Sequence, residues 1–361
     1  MSTRSIYDDL ELSDFLIFPE FLGLTEDVTC YRPQGYHPVK IGDVLGGSST
    51  QYRIMHKLGF GGYATVWLAQ KLDTSRAFVA LKVTTGWGQG TKEADMMEAA
   101  NASVSGPNGT HAVLVTDIVV PFLSLKYAPL SPRWRKVAAY GLVKALAHMH
   151  RADIVHGDLH IGNVGVAVPQ LAEQSQDNIM QEFGDPDLTV ILTVDPAKQA
   201  SSLPPYIVTP CDLAEFYLRT AGDADPQTKV FDFGNACKVG DPQPTWSCAV
   251  EACAPEIYAL LTRAPLFHGI GHKALIGCAV NMAGYVPPAW QTWWDSNDHL
   301  SLTDDAETYW LQSREYIREG CSDDEDTDAA IILLRRVLAL GPAARPSCEE
   351  IMLDPWFQDV A

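Results

Sequence analysis

The sequence predicts a mixed α+β chain in which a strand-rich part precedes a mainly helical part. Residues 52–58 and 65–69 are rich in β-branched and apolar side chains and flank a glycine turn, and residues 78–83 form a further apolar strand. Residues 132–151 instead repeat apolar side chains at helical spacing, behind a proline suited to a first helical turn. At 361 residues the chain is long enough for two lobes with separate cores.

The expected divisions are an N-terminal extension at residues 1–50, a strand-rich lobe at 51–118 and a mainly helical lobe at 119–361. Residues 168–228 are rich in Pro, Gln, Asp and Ser, and they predict an inserted, partly ordered spacer within the second lobe. The extension is expected to be irregular. Residues 91–100 predict a short helix in the first lobe.

Net charge narrows the partners that the chain is expected to bind. The formal charge is −19 at neutral pH, and such a surface repels nucleic acid and acidic membranes and attracts basic partners. Part of the excess is local, at residues 295–307 and 323–326. Such acidic runs are usually solvated surface. The more specific alternative is that they form a docking face for a basic peptide. We therefore expect no direct nucleic acid and no membrane among the partners.

Cysteine spacing and the N-terminal residues indicate the cellular compartment in which the chain is expected. The eight cysteines are scattered and form no CxxC pair, which favours reduced thiols over a zinc site or a disulfide framework. No apolar run reaches membrane-spanning length, and the N-terminal residues lack a secretory pattern. These features predict a chain of the cytoplasm or the nucleus.

A polar turn at residues 156–163 carries the main chemical signal. Asp158 and Asn163 lie five residues apart behind an apolar lead-in. The carboxylate can accept a proton from an attacking hydroxyl, and the amide can supply an oxygen ligand to a phosphate-bound Mg²⁺. Taken alone, the turn is equally well explained as a polar loop after a helix. Downstream, Asp232 follows a strand beside Gly234 and suits a second Mg²⁺ ligand.

The glycine turn is followed by a strand rather than a helix, which argues against a dinucleotide-binding fingerprint. A glycine-rich hairpin can instead bring backbone amides close to phosphates. Lys82 lies in the middle of the next apolar strand, where a phosphate ligand explains it well. Glu93 is the expected ion-pair partner of Lys82, and Glu98 is the alternative. The backbone from Asp117 to Val119 is expected to meet an adenine edge.

Together these segments resemble the eukaryotic protein kinases, over about residues 52–357. The resemblance implies a bilobal fold, with a β-rich N-lobe and a mainly helical C-lobe, and implies ATP and Mg²⁺ as cofactors. It implies that Lys82 orients the α- and β-phosphates, that Asp158 is the catalytic base, and that Asn163 and Asp232 bind the metal.

The resemblance also implies a set of nucleotide contacts and a motif pair. His160 is expected to contact the γ-phosphate, and Glu256, in Ala-Pro-Glu, resembles the glutamate that an arginine such as Arg345 pairs with. The residues expected to contact the nucleotide are Leu58, Gly59, Phe60, Gly61, Gly62, Val66, Ala80, Lys82, Glu93, Asp117 and Val119.

Within the kinases, the chain is most similar to the SR-protein-specific kinases of the fungal type with a short spacer. Residues 35–43, 58–69 and 232–237 carry this likeness, and the insertion at 168–228 lies where that family has its spacer. The resemblance implies a monomeric serine/threonine kinase that phosphorylates basic, Arg-Ser-rich proteins in mRNA processing. The net charge of −19 agrees with basic substrates.

Two departures leave other functions open. Gly157 and His160 stand where many protein kinases have Arg and Lys, so the turn also resembles aminoglycoside and choline phosphotransferases. Residues 257–267 resemble the end of the central helix of the large lobe, and its expected Asp-x-Trp start is absent, so part of that helix is expected to be missing. The alternatives are a catalytically weak, pseudokinase-like binding module and a small-molecule phosphotransferase.

Overall fold

The computed structural model describes residues 11–18, 24–47, 50–86, 93, 101–241, 253–264, 266, 272–297, 302 and 305–361. The chain forms two compact units, each with strands and helices. Unit 1 comprises Met1–Ile118 and Val168–Gly222, and unit 2 comprises Val119–Ala167 and Asp223–Ala361. Among the described residues, no helix has the length and apolar character needed to cross a bilayer. The mixed α+β class predicted from the sequence is confirmed.

Unit 1 is built on a six-stranded antiparallel sheet with the order β2-β3-β4-β5-β7-β6. Numbered along the whole chain, the strands of unit 1 are β1 (Phe15–Phe18), β2 (Val44–Gly46), β3 (Gln51–Gly61), β4 (Ala64–Lys71), β5 (Phe78–Thr84), β6 (Asn101–Gly106), β7 (Gly109–Thr116), β11 (Leu188–Thr193) and β12 (Tyr206–Val208). Trp67 of β4 and Leu81 and Val83 of β5 are buried in one core on the same face of the sheet.

The extension and the insertion fold together within unit 1, which the sequence did not predict. β1 pairs antiparallel with β11, and β11 pairs with β12. Tyr31 and Tyr36 of the extension share a buried cluster with Ile191 and Ile207 of the insertion. Two helices, α2 (Gln176–Phe183) and α3 (Leu213–Thr220), complete the insertion. The described part of the extension thus contains paired strands, and residues 168–222 belong to unit 1 instead of the second lobe in which the sequence placed the spacer.

Unit 2 contains α1 (Pro132–Arg151), which has the predicted bounds. The Ser131 side chain caps this helix by accepting a hydrogen bond from the Trp134 amide at 3.1 Å. Its apolar stripe, including Leu142 and Leu146, is buried. The other described helices of unit 2 are α4 (Cys253–Thr262), α5 (His272–Ala283), α6 (Gln291–Asp295), α7 (Ala306–Arg318), α8 (Asp324–Val337) and α9 (Cys348–Met352).

Two small antiparallel sheets of unit 2 hold the polar turn that carries Asp158. Their strands are β8 (Val119–Pro121), β9 (Ile154–Val155), β10 (Val164–Ala167), β13 (Thr228–Val230) and β14 (Cys237–Lys238). β9 pairs with β14 before the turn, and β10 lies between β13 and β8 after it. Both ends of the turn are therefore anchored to strands.

The acidic run at residues 323–326 has a structural role. Asp323 caps α8 by accepting a hydrogen bond from the Asp326 amide at 2.8 Å, and the acidic first turn suits the positive end of the helix dipole. The Asp326 carboxylate also pairs with Lys136 at 2.6 Å and accepts from the Trp356 indole N–H at 2.8 Å. This part of the negative charge therefore stabilises unit 2.

Helix α4 occupies the place where the sequence predicts a shortened central helix. The Ala-Pro-Glu motif lies in its first turn, and Ile257 and Leu261 are buried. A side chain at Gly320 would collide with the backbone of Leu261, where a Cβ atom would lie 2.3 Å from its carbonyl oxygen. The link between α7 and α8 thus packs directly on α4, which makes α4 a core element of unit 2.

Candidate active site

In unit 1, the glycine-rich segment is a tight hairpin between β3 and β4. Gly61 pairs with Ala64, so Gly62 and Tyr63 form a two-residue turn. Leu58 is the extra residue of a β-bulge, because Lys57 pairs with Trp67 and Gly59 pairs with Val66. Leu58 and Gly59 are half-buried, whereas Phe60, Gly61 and Gly62 are exposed. Backbone amides at this tip can approach a ligand closely because few side chains cover them.

Lys82 lies in the centre of the sheet and pairs with Glu93. Its Nζ lies 2.7 Å from Oε2 and 2.9 Å from Oε1 of that carboxylate. The Glu93 side chain is 5% exposed and that of Lys82 is 17% exposed, so the pair is largely shielded from solvent. Glu93 is helical; the remaining residues of the predicted helix at 91–100, including Glu98, lie outside the described residues. The ion pair preferred from the sequence is therefore present.

The strand register places three of the predicted contacts together. Val66 is the direct partner of Lys82 across β4 and β5, and Ala80 lies two residues before Lys82 on β5. Direct partners and residues two apart share one face of a sheet. Val66, Ala80 and Lys82 therefore line the same face. Asp117 is exposed just after β7, and Val119 begins β8, which belongs to unit 2.

The extension also supports the hairpin, through residues that sequence reasoning missed. The Tyr36 hydroxyl donates to the Gly61 carbonyl at 2.7 Å. Lys57, fully buried in β3, forms an ion pair with Glu26, which also accepts from the Tyr31 hydroxyl. Glu26 contacts Lys57, and Tyr36 contacts Gly61, so both contacts join residues that are at least 25 positions apart. The resemblance of residues 35–43 was the one sequence signal for this segment.

In unit 2, the turn between β9 and β10 orients Asp158 and Asn163. Asn163 is buried, and its Nδ2 donates to the Asp158 backbone carbonyl at 2.9 Å. This bond fixes the amide orientation and leaves Oδ1 as an oxygen donor, the type of ligand that a hard divalent cation prefers. The Asp158 carboxylate accepts from Asn235 Nδ2 at 3.3 Å. Asn235 is a further residue that sequence reasoning did not identify.

Asp232 follows β13 on the strand next to β10. Val230 is the direct partner of Val164 in antiparallel strands. Asn163, just before β10, and Asp232, just after β13, therefore lie at the same end of this strand pair. Asp232 is exposed and has a left-handed backbone, with φ of 64°. Such a conformation is uncommon outside glycine and occurs often at functional sites. Asn163 and Asp232 therefore supply an amide oxygen and a carboxylate that fit a divalent cation.

His156 stabilises the turn through two hydrogen bonds to the backbone. Its Nε2 donates to the Phe231 carbonyl at 2.9 Å, and its Nδ1 accepts from the Asp158 amide at 3.3 Å. These two bonds define the neutral Nε2–H tautomer. Burial lowers the pKa of His156, which keeps the imidazole neutral at physiological pH. The ring ties the backbone of Asp158 to the strand that precedes Asp232.

The structure explains why Gly157 stands where many protein kinases have arginine. Gly157 has φ of 78°, and a Cβ atom there would lie 2.5 Å from the Asn235 carbonyl oxygen. An arginine would therefore displace Asn235, the residue that contacts Asp158. His160 is exposed, and its Nδ1 accepts from the Gly162 amide at 3.0 Å. Its ring is thus hydrogen-bonded within its own loop.

The expected pairing of Glu256 with Arg345 is not what the structure shows. Arg345 donates from Nε to the Ala339 carbonyl at 2.6 Å. Within the described part of the chain, Oε2 of Glu256 is buried without a hydrogen-bond partner. Burial raises the pKa of Glu256 to about 8, so this carboxyl is mostly protonated at neutral pH.

Comparison with known proteins finds protein kinases. No protein-family model matches the chain. A serine/threonine protein kinase of Aspergillus fumigatus is 24% identical over 378 residues, covering 89% of this chain and 87% of that protein. SRSF protein kinase 3 of Homo sapiens is 29% identical over 171 residues, covering 40% of this chain and 30% of the relative. The serine/threonine-protein kinase spk-1 of Caenorhabditis elegans is 29% identical over 167 residues, covering 38% of this chain and 16% of that protein.

These relatives support an SR-protein-kinase-like protein kinase. Its chemistry is therefore the ATP-dependent phosphorylation of protein, with a divalent metal. The geometry within each unit suits this kinase. Unit 1 supplies a lysine held by a glutamate beside a glycine hairpin. Unit 2 supplies a positioned carboxylate and two oxygen ligands.

Proposed function

We propose that this kinase transfers the γ-phosphate of MgATP to serine hydroxyls of basic, Arg-Ser-rich proteins. The observation that carries the ATP assignment is the shielded Lys82–Glu93 pair, at 2.7 and 2.9 Å. Holding a lysine in one orientation with a buried carboxylate suits the binding of α- and β-phosphates. The basic substrate is supported by the net charge of −19 and by two relatives named SRSF protein kinase 3 and spk-1.

In this proposal unit 1 corresponds to the ATP-binding lobe and unit 2 to the substrate lobe of a bilobal kinase. Asn163 and Asp232 would hold Mg²⁺, which neutralises charge on the β- and γ-phosphate oxygens. Asp158 orients the substrate hydroxyl and accepts its proton. Its carboxylate is held by Asn235, at 3.3 Å, so it is pre-organised for this step.

The decisive experiment compares phosphate transfer with nucleotide binding. Asp158→Asn should reduce transfer to an Arg-Ser-repeat peptide by about 10²–10⁴-fold, the usual cost of losing a proton-transfer group. The same variant should keep its thermal stabilisation by MgATP, whereas Lys82→Met should lose both. Asp225→Asn is the matched control, since Asp225 pairs with Arg133 on the exposed surface. Unchanged transfer by the Asp158 variant would exclude its role as base.

A binding-only function is the second candidate, and the environment of Glu256 favours it. An arginine partner for that glutamate is expected in an active kinase, whereas its buried Oε2 has no hydrogen-bond partner among the residues that the structure describes. MgATP stabilisation of the wild-type chain without transfer to any peptide would support this candidate. Transfer to choline or an aminoglycoside, but not to protein, would instead support a small-molecule phosphotransferase.

A further inference from the structure

Unit 2 contains a pocket beside the Asp158 turn that the proposed reaction does not use. It lies between a short 3₁₀ helix (Phe122–Leu125), the first turn of α1 and the end of α4. Phe122, Trp134 and Ile161 contribute apolar walls. Ile161 lies in the turn between Asp158 and Asn163.

Arg135 is the most buried charged residue that lines the pocket. It is 3% exposed. Its Nε donates to the Leu130 carbonyl at 3.3 Å, and its Nη1 donates to the Leu260 carbonyl. Among the described residues, Nη2 has no hydrogen-bond partner. A buried guanidinium nitrogen without an acceptor is costly, so an anion that reached this donor would relieve that cost.

Two further cations line the same pocket, Lys126 and Arg263. No carboxylate forms an ion pair with either of them, or with Arg135, in the described part of the chain. Burial and the nearby Arg263 lower the pKa of Arg135 to about 10, and Glu319 acts weakly in the opposite direction. The three basic side chains thus line one pocket in a chain whose net charge is −19.

The backbone of Arg263 ends helix α4. Its φ is 61°, in the left-handed region in which helices commonly end. Arg263 follows the last turn of α4, and this position brings its side chain to the pocket.

We propose that this pocket binds a small oxyanion of the phosphate class. The anion would accept a hydrogen bond from Nη2 of Arg135, and Lys126 and Arg263 would balance its charge. Guanidinium groups bind oxyanions more strongly beside apolar side chains, and Phe122 and Trp134 line this pocket. The site is independent of phosphoryl transfer, because it involves neither Lys82 nor Asp232.

The test measures binding of inorganic phosphate by calorimetry and thermal shift, against sodium chloride and acetate at equal ionic strength. We expect phosphate to stabilise the full chain more than either comparison salt. Arg263→Gln and Lys126→Gln avoid the buried Arg135 and should each weaken phosphate binding about tenfold, the loss expected for one charge-assisted contact. Arg133→Gln is the matched control, since Arg133 is exposed and pairs with Asp225.

Two further comparisons locate the bound ion. The Lys82→Met variant should retain phosphate binding, because that lysine belongs to the nucleotide site of unit 1. Loss of binding in this variant, with no change in Arg263→Gln, would overturn the proposal. Equal stabilisation by phosphate, acetate and chloride would also overturn it. Absence of kinase activity in the same preparation would affect the proposed function and leave this result unchanged.

Discussion

Replacing Glu256 with glutamine should make the stability of this kinase less dependent on pH. Glu256 is 4% exposed, and Oε2 has no hydrogen-bond partner in the described part of the chain. Burial raises its pKa from 4.5 to about 8. The folded state therefore binds this proton more tightly than the unfolded state does. Glutamine has a similar shape and remains neutral at every pH.

The sign and the size follow from linkage. A carboxyl with a raised pKa favours the folded state fully below pH 4.5, and this advantage is lost as the pH rises towards 8. Each pKa unit corresponds to about 1.4 kcal/mol, so the whole range amounts to roughly 5 kcal/mol. Glu256→Gln should therefore match the wild type near pH 5. At pH 8 it should be more stable by a few kcal/mol.

Urea unfolding at several pH values between 5 and 8 measures this effect. Glu349→Gln is the control, since Glu349 is an exposed carboxylate 3.8 Å from Arg151. The reasoning would be refuted if Glu256→Gln destabilised the protein at pH 8 and not at pH 5. That result would mean that Glu256 is ionised and paired, as the kinase resemblance implied for Arg345.

Three further perturbations test the packing of each unit. Lys57→Met should cost about 3–5 kcal/mol because it leaves the Glu26 carboxylate buried without its cation, and adding Glu26→Leu should restore much of that loss in urea unfolding. Burial lowers the pKa of His37 to about 4 and also lowers that of His111. Unit 1 should therefore lose stability as the pH falls from 6.5 towards 4, and His37→Phe should flatten this acid limb in tryptophan fluorescence. Ser131→Ala removes the cap of α1 and should cost about 1 kcal/mol, measured by thermal unfolding at neutral pH.

Local patterns determined the elements that carry most of the candidate site. The glycine hairpin, the apolar strand of Lys82 and the bounds of α1 all follow from side-chain periodicity and turn chemistry within about twenty residues. Glu93 was preferred over Glu98 as the partner of Lys82, and the structure contains the Lys82–Glu93 ion pair. The net charge of −19 agrees with the basic substrate that the resemblance implies.

The order of the extension and of the insertion needed the tertiary structure. Phe15 in β1 faces Thr193 in β11, a pairing between segments that are far apart in sequence. Each segment alone is short and flanked by Pro, Asp or Ser, so neither predicts a stable strand. Strands at a sheet edge become stable when a partner supplies hydrogen bonds and an apolar face.

The predicted site residues follow from local sequence, whereas the residues that support them are brought together by tertiary contacts. Asp158 and Asn163 were recognisable because their spacing lies within one turn, whereas Asn235 reaches Asp158 only through the pairing of β9 with β14. The unpartnered Nη2 of Arg135 likewise depends on which carbonyls α4 brings beside α1. Sequence therefore determined the chemistry that each short segment offers. Tertiary packing decided which charges are satisfied, because burial and partners depend on contacts between distant segments.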